Sequence, residues 1–357
     1  MNKESPIEEK KENKVEKEKG NGKSSMYSAL PEGMSFSRLP QSAHPQAATL
    51  GEFDPNVLPD GFFITVYGAR RTGKTHAVSC LLERIKDRFD FAYLFSSTAA
   101  LHQGKDRKTA FPMIRDEAIF GGFDEVALQA IIDRQEAVKK HNDKCERVRD
   151  KKPNQTLIIF DDFVHEPKIR HSKLFTSLPV LGRHRELSVI VLSQGYSAVG
   201  SAGLNPATRQ NSDLVMTFLP RSLKDVERIA EWYMTKEKIE NMWMVQSVCR
   251  EQHQCLCIDL QHPHEVEYPN YLYKYKAPGD IPKFELGKVQ WKLWKQEKKR
   301  RKQAAMEASL LNDKMWFVTN SKSVNGTRTM PAINEATGRA KKQPLSLFEA
   351  MQQMGYQ

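Results

Sequence analysis

The stretch Gly68-Ala69-Arg70-Arg71-Thr72-Gly73-Lys74-Thr75 has the spacing G-x-x-x-x-G-K-T, which predicts a loop built to hold phosphate. Glycines let successive backbone N–H groups turn inward around phosphate oxygens, and a following helix N-terminus adds a favourable dipole. In such a loop Lys74 reaches the β- and γ-phosphates and the Thr75 hydroxyl ligates magnesium, so ATP and Mg2+ are the expected cofactors. The loop needs a carboxylate at the end of another strand, to hold the metal and a water. Leu157-Ile158-Ile159-Phe160-Asp161-Asp162 supplies it. Asp161 is assigned to the magnesium shell and Asp162 to orienting or deprotonating the attacking water. Paired acids after an apolar strand also serve as helix N-caps; the glycine-lysine loop favours the metal role. A further apolar run ends Leu192-Ser193-Gln194. If that strand is inserted between the two motif strands, Gln194 lies near the γ-phosphate and is the candidate for sensing it. The alternative is an ordinary polar residue at a strand end.

The elements that must carry these residues are legible in the apolar pattern. Phe62–Tyr67 reads as a buried strand running into the loop, and His76–Arg88 as a helix with Val78, Leu81, Leu82 and Ile85 on one face. Further strands are expected at Phe91–Phe95, Thr156–Phe160, Leu187–Leu192, Leu214–Phe218 and Cys255–Leu260. Helices are expected at Phe123 to about Arg149, Leu223–Tyr233 and Lys236–Val248. Near-continuous apolar strands alternating with helices imply an α/β fold with a parallel sheet covered on both faces.

Composition sets the limits around this domain. The chain has 357 residues, 39 % of them hydrophobic, enough for one sizeable core. Residues 1–24 are almost entirely Lys, Glu, Asn, Gly and Ser, and are expected to be disordered. Residues 1–59 together read as a disordered or irregular tail, 60–277 as the nucleotide-binding domain, and 278–357 as a basic helix with a mobile C-terminal tail. No apolar run approaches the roughly 18–20 residues that span a bilayer, and no signal-peptide core follows the first methionine, so secretion is not expected. Five cysteines form an odd set without disulfide-scaffold density, which suits a reducing compartment. The net charge of +11 is compatible with an acidic partner such as nucleic acid.

Two weaker constellations have competing readings. Cys249, His253, Cys255 and Cys257 are close together, yet Cys255-x-Cys257 lacks the two-residue gap of a zinc knuckle, and core cysteines in a strand are the preferred account. Lys288, Lys292, Lys295, Lys298, Lys299, Arg300, Arg301 and Lys302 form a basic run interleaved with Trp291 and Trp294. Helical spacing puts Trp291, Trp294 and Lys298 on one side. The run suits DNA phosphates, an acidic protein surface, a nuclear-import signal, or simply a solvated face.

Taken together, the motifs resemble a known group. The glycine-loop strand, the Asp-Asp strand, Gly182-Arg183-His184 before the strand ending Leu-Ser-Gln, and Pro206-Ala207-Thr208-Arg209-Gln210-Asn211-Ser212-Asp213 are similar to the poxvirus-type virion packaging ATPases. These belong to the FtsK–HerA superfamily and occur in nucleocytoplasmic large DNA viruses and related smaller viruses. The resemblance covers roughly Gly61 to Leu260. It implies a three-layer RecA-like P-loop NTPase with an extra strand between the Walker A and Walker B strands. It also implies a homo-oligomeric ring that drives double-stranded DNA into a preformed capsid, docked on a capsid or portal-vertex protein in the virion or the infected cell. On the same analogy Arg209 is a candidate arginine finger for a neighbour's γ-phosphate, and Arg183 a second; a surface salt bridge is the plainer role. The superfamily often places Glu after the magnesium aspartate. Asp162 is one methylene shorter, which makes Glu166 an alternative for positioning the water.

Two other functions use the same loop. A nucleotide or small-molecule kinase would need an arginine-rich lid, for which Arg70, Arg71 and the Arg183–Arg185 cluster leave room. A non-packaging helicase or partition ATPase of the same superfamily would share every motif. A terminase with a fused nuclease is disfavoured, because Asp280 and Glu285 are isolated acids and two metals need several.

Overall fold

The computed structural model describes residues 42–98, 110–161, 167–195, 204, 206–261 and 266–321. Eight strands form one sheet: β1 (Phe63–Tyr67), β2 (Phe91–Ser96), β3 (Ile119–Phe120), β4 (Thr156–Asp161), β5 (Leu187–Ser193), β6 (Leu214–Thr217), β7 (Gln254–Asp259) and β8 (Leu272–Lys276). Their spatial order is β3-β2-β4-β5-β1-β6-β7-β8. The pairs among β1 to β6 are all parallel, and β7 and β8 add an antiparallel margin. The helices are α1 (Lys74–Ile85), α2 (Glu125–Asn142), α3 (Pro167–His171), α4 (Lys173–Leu181), α5 (Pro206–Gln210), α6 (Leu223–Tyr233), α7 (Lys238–Cys249) and α8 (Lys288–Ser321).

Every residue of β1, β2, β4, β5 and β6 is buried, so both faces of the parallel sheet are covered and the fold is the expected α/β sandwich of helices around strands. This burial explains why those strands read as unbroken apolar runs. Next to the strand carrying Asp161, four rings pack in series. Phe95 stacks on Phe120 and Phe160 at 4.7 and 5.2 Å, and Phe160 meets Phe175 edge-on at 5.1 Å. The 3.6-residue pattern of α1 puts Ala77, Val78, Leu81, Leu82 and Ile85 into the core.

Several boundaries differ from the sequence reading for local reasons. α1 begins at Lys74 rather than His76, because the glycine loop feeds its first turn directly. α2 begins at Glu125, where the Asp124 carboxylate caps Ala127 N–H at 3.0 Å. It stops at Asn142 instead of near Arg149. The Asn142 side chain grips Lys152 through both its N–H (2.8 Å) and its carbonyl (2.9 Å), folding the charged stretch between them back as a loop. β3 and β8 were not anticipated: one is two residues long, and the other, Leu-Tyr-Lys-Tyr-Lys, alternates on a half-covered margin.

Packing extends beyond the expected domain limits on both sides. Leu50, Phe53 and Leu58 are buried, and Phe53 N–H donates to Lys274 O at 2.9 Å while Lys274 N–H donates to Gly51 O at 2.9 Å. This segment covers the open edge of β8. After β8, the chain crosses α1, where His76 Nε2 lies 2.6 Å from the Pro278 carbonyl. It then enters α8, whose first turns are anchored: Gln290 is buried and its Oε1 accepts the Ala92 N–H at 2.9 Å. The helix runs 34 residues, roughly 51 Å at 1.5 Å per residue. No described helix is long and apolar enough to cross a membrane.

Candidate functional site

The phosphate loop leaves β1 at Tyr67 and re-enters regular structure at Lys74. Gly68 N–H donates to Ser193 O at 3.2 Å, which ties the start of the loop to the end of β5. A Cβ on Gly68 would sit 2.7 Å from Thr72 Oγ1 and 3.0 Å from Phe218 Cβ, so no larger residue fits. Gly73 has φ +98°, a conformation that favours glycine, and it immediately precedes the first turn of α1, where helix geometry aims N–H groups out of the helix end. Thr72 Oγ1 donates to Ala69 O at 2.8 Å and closes the turn. Lys74 is buried, with Nζ donating to Gly68 O at 2.6 Å and Ala69 O at 2.9 Å; its ammonium lies inside the curve of the loop. Arg70 and Arg71 are exposed, and Arg71 adopts φ +67° in the turn.

The other motif strands end beside this loop. Asp161, the last residue of β4, is buried and lies in register with Leu192 of β5, which in turn faces Val66 of β1. The carboxylate strand is therefore two strand spacings from the loop strand, roughly 9–10 Å. That gap suits a metal ion and its waters rather than direct contact. Gln194 directly follows Ser193, the last residue of β5, whose carbonyl accepts from Gly68 N–H. Asp162 and Glu166 lie outside the described residues. A rigid glycine cradle, a buried lysine, a threonine at the helix start and a strand-end carboxylate fit a magnesium-bound triphosphate.

The second pair of motifs builds something different. Arg183 pairs with the Asp213 carboxylate, whose Oδ2 also accepts the Phe63 N–H at 2.7 Å. Asp213 N–H donates to Phe63 O at 2.8 Å, and Ser212 Oγ meets Thr65 Oγ1 at 2.8 Å. Gly182 fits its position closely: an added Cβ would lie 2.7 Å from Leu178 O and 2.8 Å from Leu187 O. Burial pushes the Asp213 carboxyl up from its usual value, against the pull of Phe63 N–H and Arg183. Arg183, Ser212 and Asp213 thus form a clasp where β1 begins, at the end of the strand opposite the loop. Arg209 stems from the same end of the strands, just before β6. Its guanidinium stacks over Trp232 at 3.9 Å, and its Nη1 has no hydrogen-bond acceptor among the described residues.

The weaker constellations resolve by position. Cys255 and Cys257 are buried in β7, and Cys249 is buried in α7 with Sγ 3.1 Å from Thr217 O. Trp291, Trp294 and Lys298 do share one side of α8, and Arg115 occupies it. Its guanidinium lies 4.9 and 3.8 Å from the two indoles, so the tryptophans anchor the helix to the domain. Sequence reading put Phe218 in a strand and His253 in the cysteine constellation and gave neither a place at the loop, yet Phe218 packs under Gly68 and the His253 ring lies against Gly73. Neither has a local signature, since both reach the loop through sheet order.

A parallel sheet whose phosphate-loop strand and acidic strand are separated by one inserted strand defines a RecA-like P-loop NTPase. Within that class the chain belongs to the family of the poxvirus A32 protein, whose family model matches residues 52–261. Among solved structures it is similar to the genome packaging NTPase B204 from Sulfolobus turreted icosahedral virus 2 in complex with AMP. There the identity is 12 % and the TM-score 0.43, over 62 % of this chain and 100 % of that one. It is also similar to the pCW3 conjugation coupling protein TcpA in its monomer form with ATPγS. That match has 10 % identity and a TM-score of 0.42, over 61 % of this chain and 60 % of that one. No curated protein matches the chain.

Proposed function

We propose that this chain is an ATP-hydrolysing motor that translocates double-stranded viral DNA into a preformed capsid, working as a homo-oligomeric ring. The observation that carries the reading is β5 lying between the Gly68–Thr75 strand and the Asp161 strand, in a chain of the A32 family. In this reading Thr75 and Asp161 hold magnesium, which when bound neutralises charge on the β- and γ-oxygens. Lys74 holds the β- and γ-phosphates against the loop N–H groups. Asp162, or Glu166 in its place, orients the water and takes its proton, and Gln194 contacts the γ-phosphate end. The exposed lysines of α8 meet DNA phosphates or an acidic capsid or portal-vertex surface, and the site of action is the virion or the infected cell.

Phosphate release measured with and without duplex DNA tests this directly. Turnover is expected to rise with duplex and to lose that rise as salt increases, because phosphate contacts release counterions. Phosphate appearing on an acceptor nucleoside instead would establish a kinase, and strand separation without capsid dependence a helicase.

Arg209 is proposed as the residue that completes a neighbour's site. It stems from the end of the strands opposite its own loop, which supports action in trans and not in cis. To serve, it must leave Trp232 at the subunit boundary. Arg209→Ala and Lys74→Ala chains, each inactive alone, are then expected to regain turnover when mixed, since some boundaries pair an intact loop with an intact arginine. A mixture as inactive as its parts would reduce Arg209 to its stacking role.

A further inference from the structure

The segment that joins α2 to β4 carries charge out of proportion to its length. Residues 139–152 hold seven Lys and Arg against three acids, a net +4 in a chain whose whole net charge is +11. Lys139, Lys140 and His141 lie in the last turn of α2, where cations answer the negative end of the helix. The cations beyond that turn have no such task. Lys144, Arg147, Arg149 and Lys151 are all exposed. Among the described residues only Arg149 of these four has an acid in reach, Asp150 at 3.9 Å. Surface cations elsewhere on the domain are commonly paired, as Arg84 is with Asp54 and Arg88 with Asp60.

The segment is also held in shape. Asn142 clamps its base, accepting from Lys152 N–H at 2.8 Å and donating to Lys152 O at 2.9 Å. Inside it, Cys145 Sγ lies 3.3 Å from His141 O and 3.5 Å from Asp150 O. Asp150 N–H donates to Arg147 O at 3.0 Å and Lys151 N–H to Val148 O at 3.2 Å, around a single 3-10 turn at Val148–Asp150. Lys139 Nζ donates to His184 O, which ties the base to the turn before β5. None of these bonds uses the side chains of Lys144, Arg147, Arg149 or Lys151. The loop is built to present them, and a preformed loop loses little entropy when a partner arrives.

Position and chemistry select the partner. The loop leads into β4 and so projects from the starts of the strands, opposite the phosphate loop of its own subunit. Protein–protein interfaces centre on an apolar core and are poor in lysine. Here the large apolar side chain on show is Val148 alone, 83 % exposed and flanked by Arg147 and Arg149. Surfaces that hold nucleic acid are more polar and far more positive, and most of their hydrogen bonds go to phosphate and sugar.

We propose that the Lys144–Lys151 loop grips the backbone of duplex DNA, with Arg147 and Arg149 on phosphates, Val148 against the sugar between them, and no base sequence read. The proposal rests on the reading of the chain as a DNA motor. It adds a contact at the strand-start end of the domain, separate from α8.

The test measures binding of labelled duplexes across a range of salt to the full chain and to three paired variants. These are Arg147→Ala with Arg149→Ala, Lys144→Ala with Lys151→Ala, and Arg147→Lys with Arg149→Lys. Thermal melting and phosphate release without DNA, both expected to match the wild type, show that the fold and the nucleotide site are intact. Each alanine pair should weaken duplex binding roughly tenfold and flatten the plot of log affinity against log salt by roughly 2, one unit per lost phosphate contact. The loss should be equal for duplexes of different sequence, and the lysine pair should keep the wild-type slope. Alanine pairs with wild-type affinity and slope overturn the proposal. So does a loss seen with polyglutamate and not with duplex, which would assign the loop to an acidic protein. A loss confined to one duplex sequence overturns the backbone contact. Wild-type protein that binds no duplex at any salt refutes the DNA motor itself, a different failure.

Discussion

Replacing Lys74 with alanine is expected to lower ATP turnover by on the order of 10²–10³ while leaving the fold in place. The ammonium is buried inside the loop and held by Gly68 O and Ala69 O, so it is already positioned where charge on the triphosphate must be met. A preorganised cation in a partly desolvated site stabilises the transition state far more than the same charge in water. The structural cost is smaller. Two loop carbonyls lose a donor, a change of about 1 kcal/mol each, and the half-exposed loop allows water to replace it. Phosphate release and thermal unfolding, measured on the same preparation, separate the two effects. Turnover at the wild-type rate would exclude Lys74 from the site.

Asp213→Ala should show the reverse pattern, with stability falling by about 2–3 kcal/mol and the chemistry surviving in the molecules that remain folded. Asp213 is 1 % exposed and accepts the Phe63 N–H, a bond that fixes the start of the loop strand against β6. Without the carboxylate that N–H is buried without a partner, which is the expensive part of the change. Arg183 contributes less, because its side chain is 56 % exposed and water can solvate it; Arg183→Ala is expected within about 1 kcal/mol of wild type. Asp213→Asn retains an acceptor for Phe63 and should fall between the two. Denaturant unfolding of the three variants checks this order, and an Asp213→Ala protein as stable as the wild type would remove the clasp from the account.

These contrasting expectations concern motifs that look alike in the sequence, since each is a short polar string beside an apolar run. Gly68–Thr75 and the end of the Asp161 strand were legible because their information is local. Glycine positions set the backbone turn, and unbroken apolar runs mark strands buried on both faces. The assignment of helices such as α6 had the same basis, a 3.6-residue repeat that needs no knowledge of the neighbours. Gln194 could be assigned only conditionally, because the assignment requires β5 to lie between β1 and β4, and that order is set by the whole sheet.

The tertiary structure decided the strand order, and with it which side chains meet. It put Arg183 and Asp213 at the strand ends opposite the loop, and it set Trp291 and Trp294 around Arg115. It also drew the Pro278–Phe284 strap across α1. The sequence by itself determined where phosphate is held and which strand carries the acid, because backbone geometry and burial pattern act over a few residues. Partners brought together by crossovers 30 to 200 residues long, such as Arg183 with Asp213 and Gln290 with Ala92, follow from how the sheet closes, and no local period encodes that.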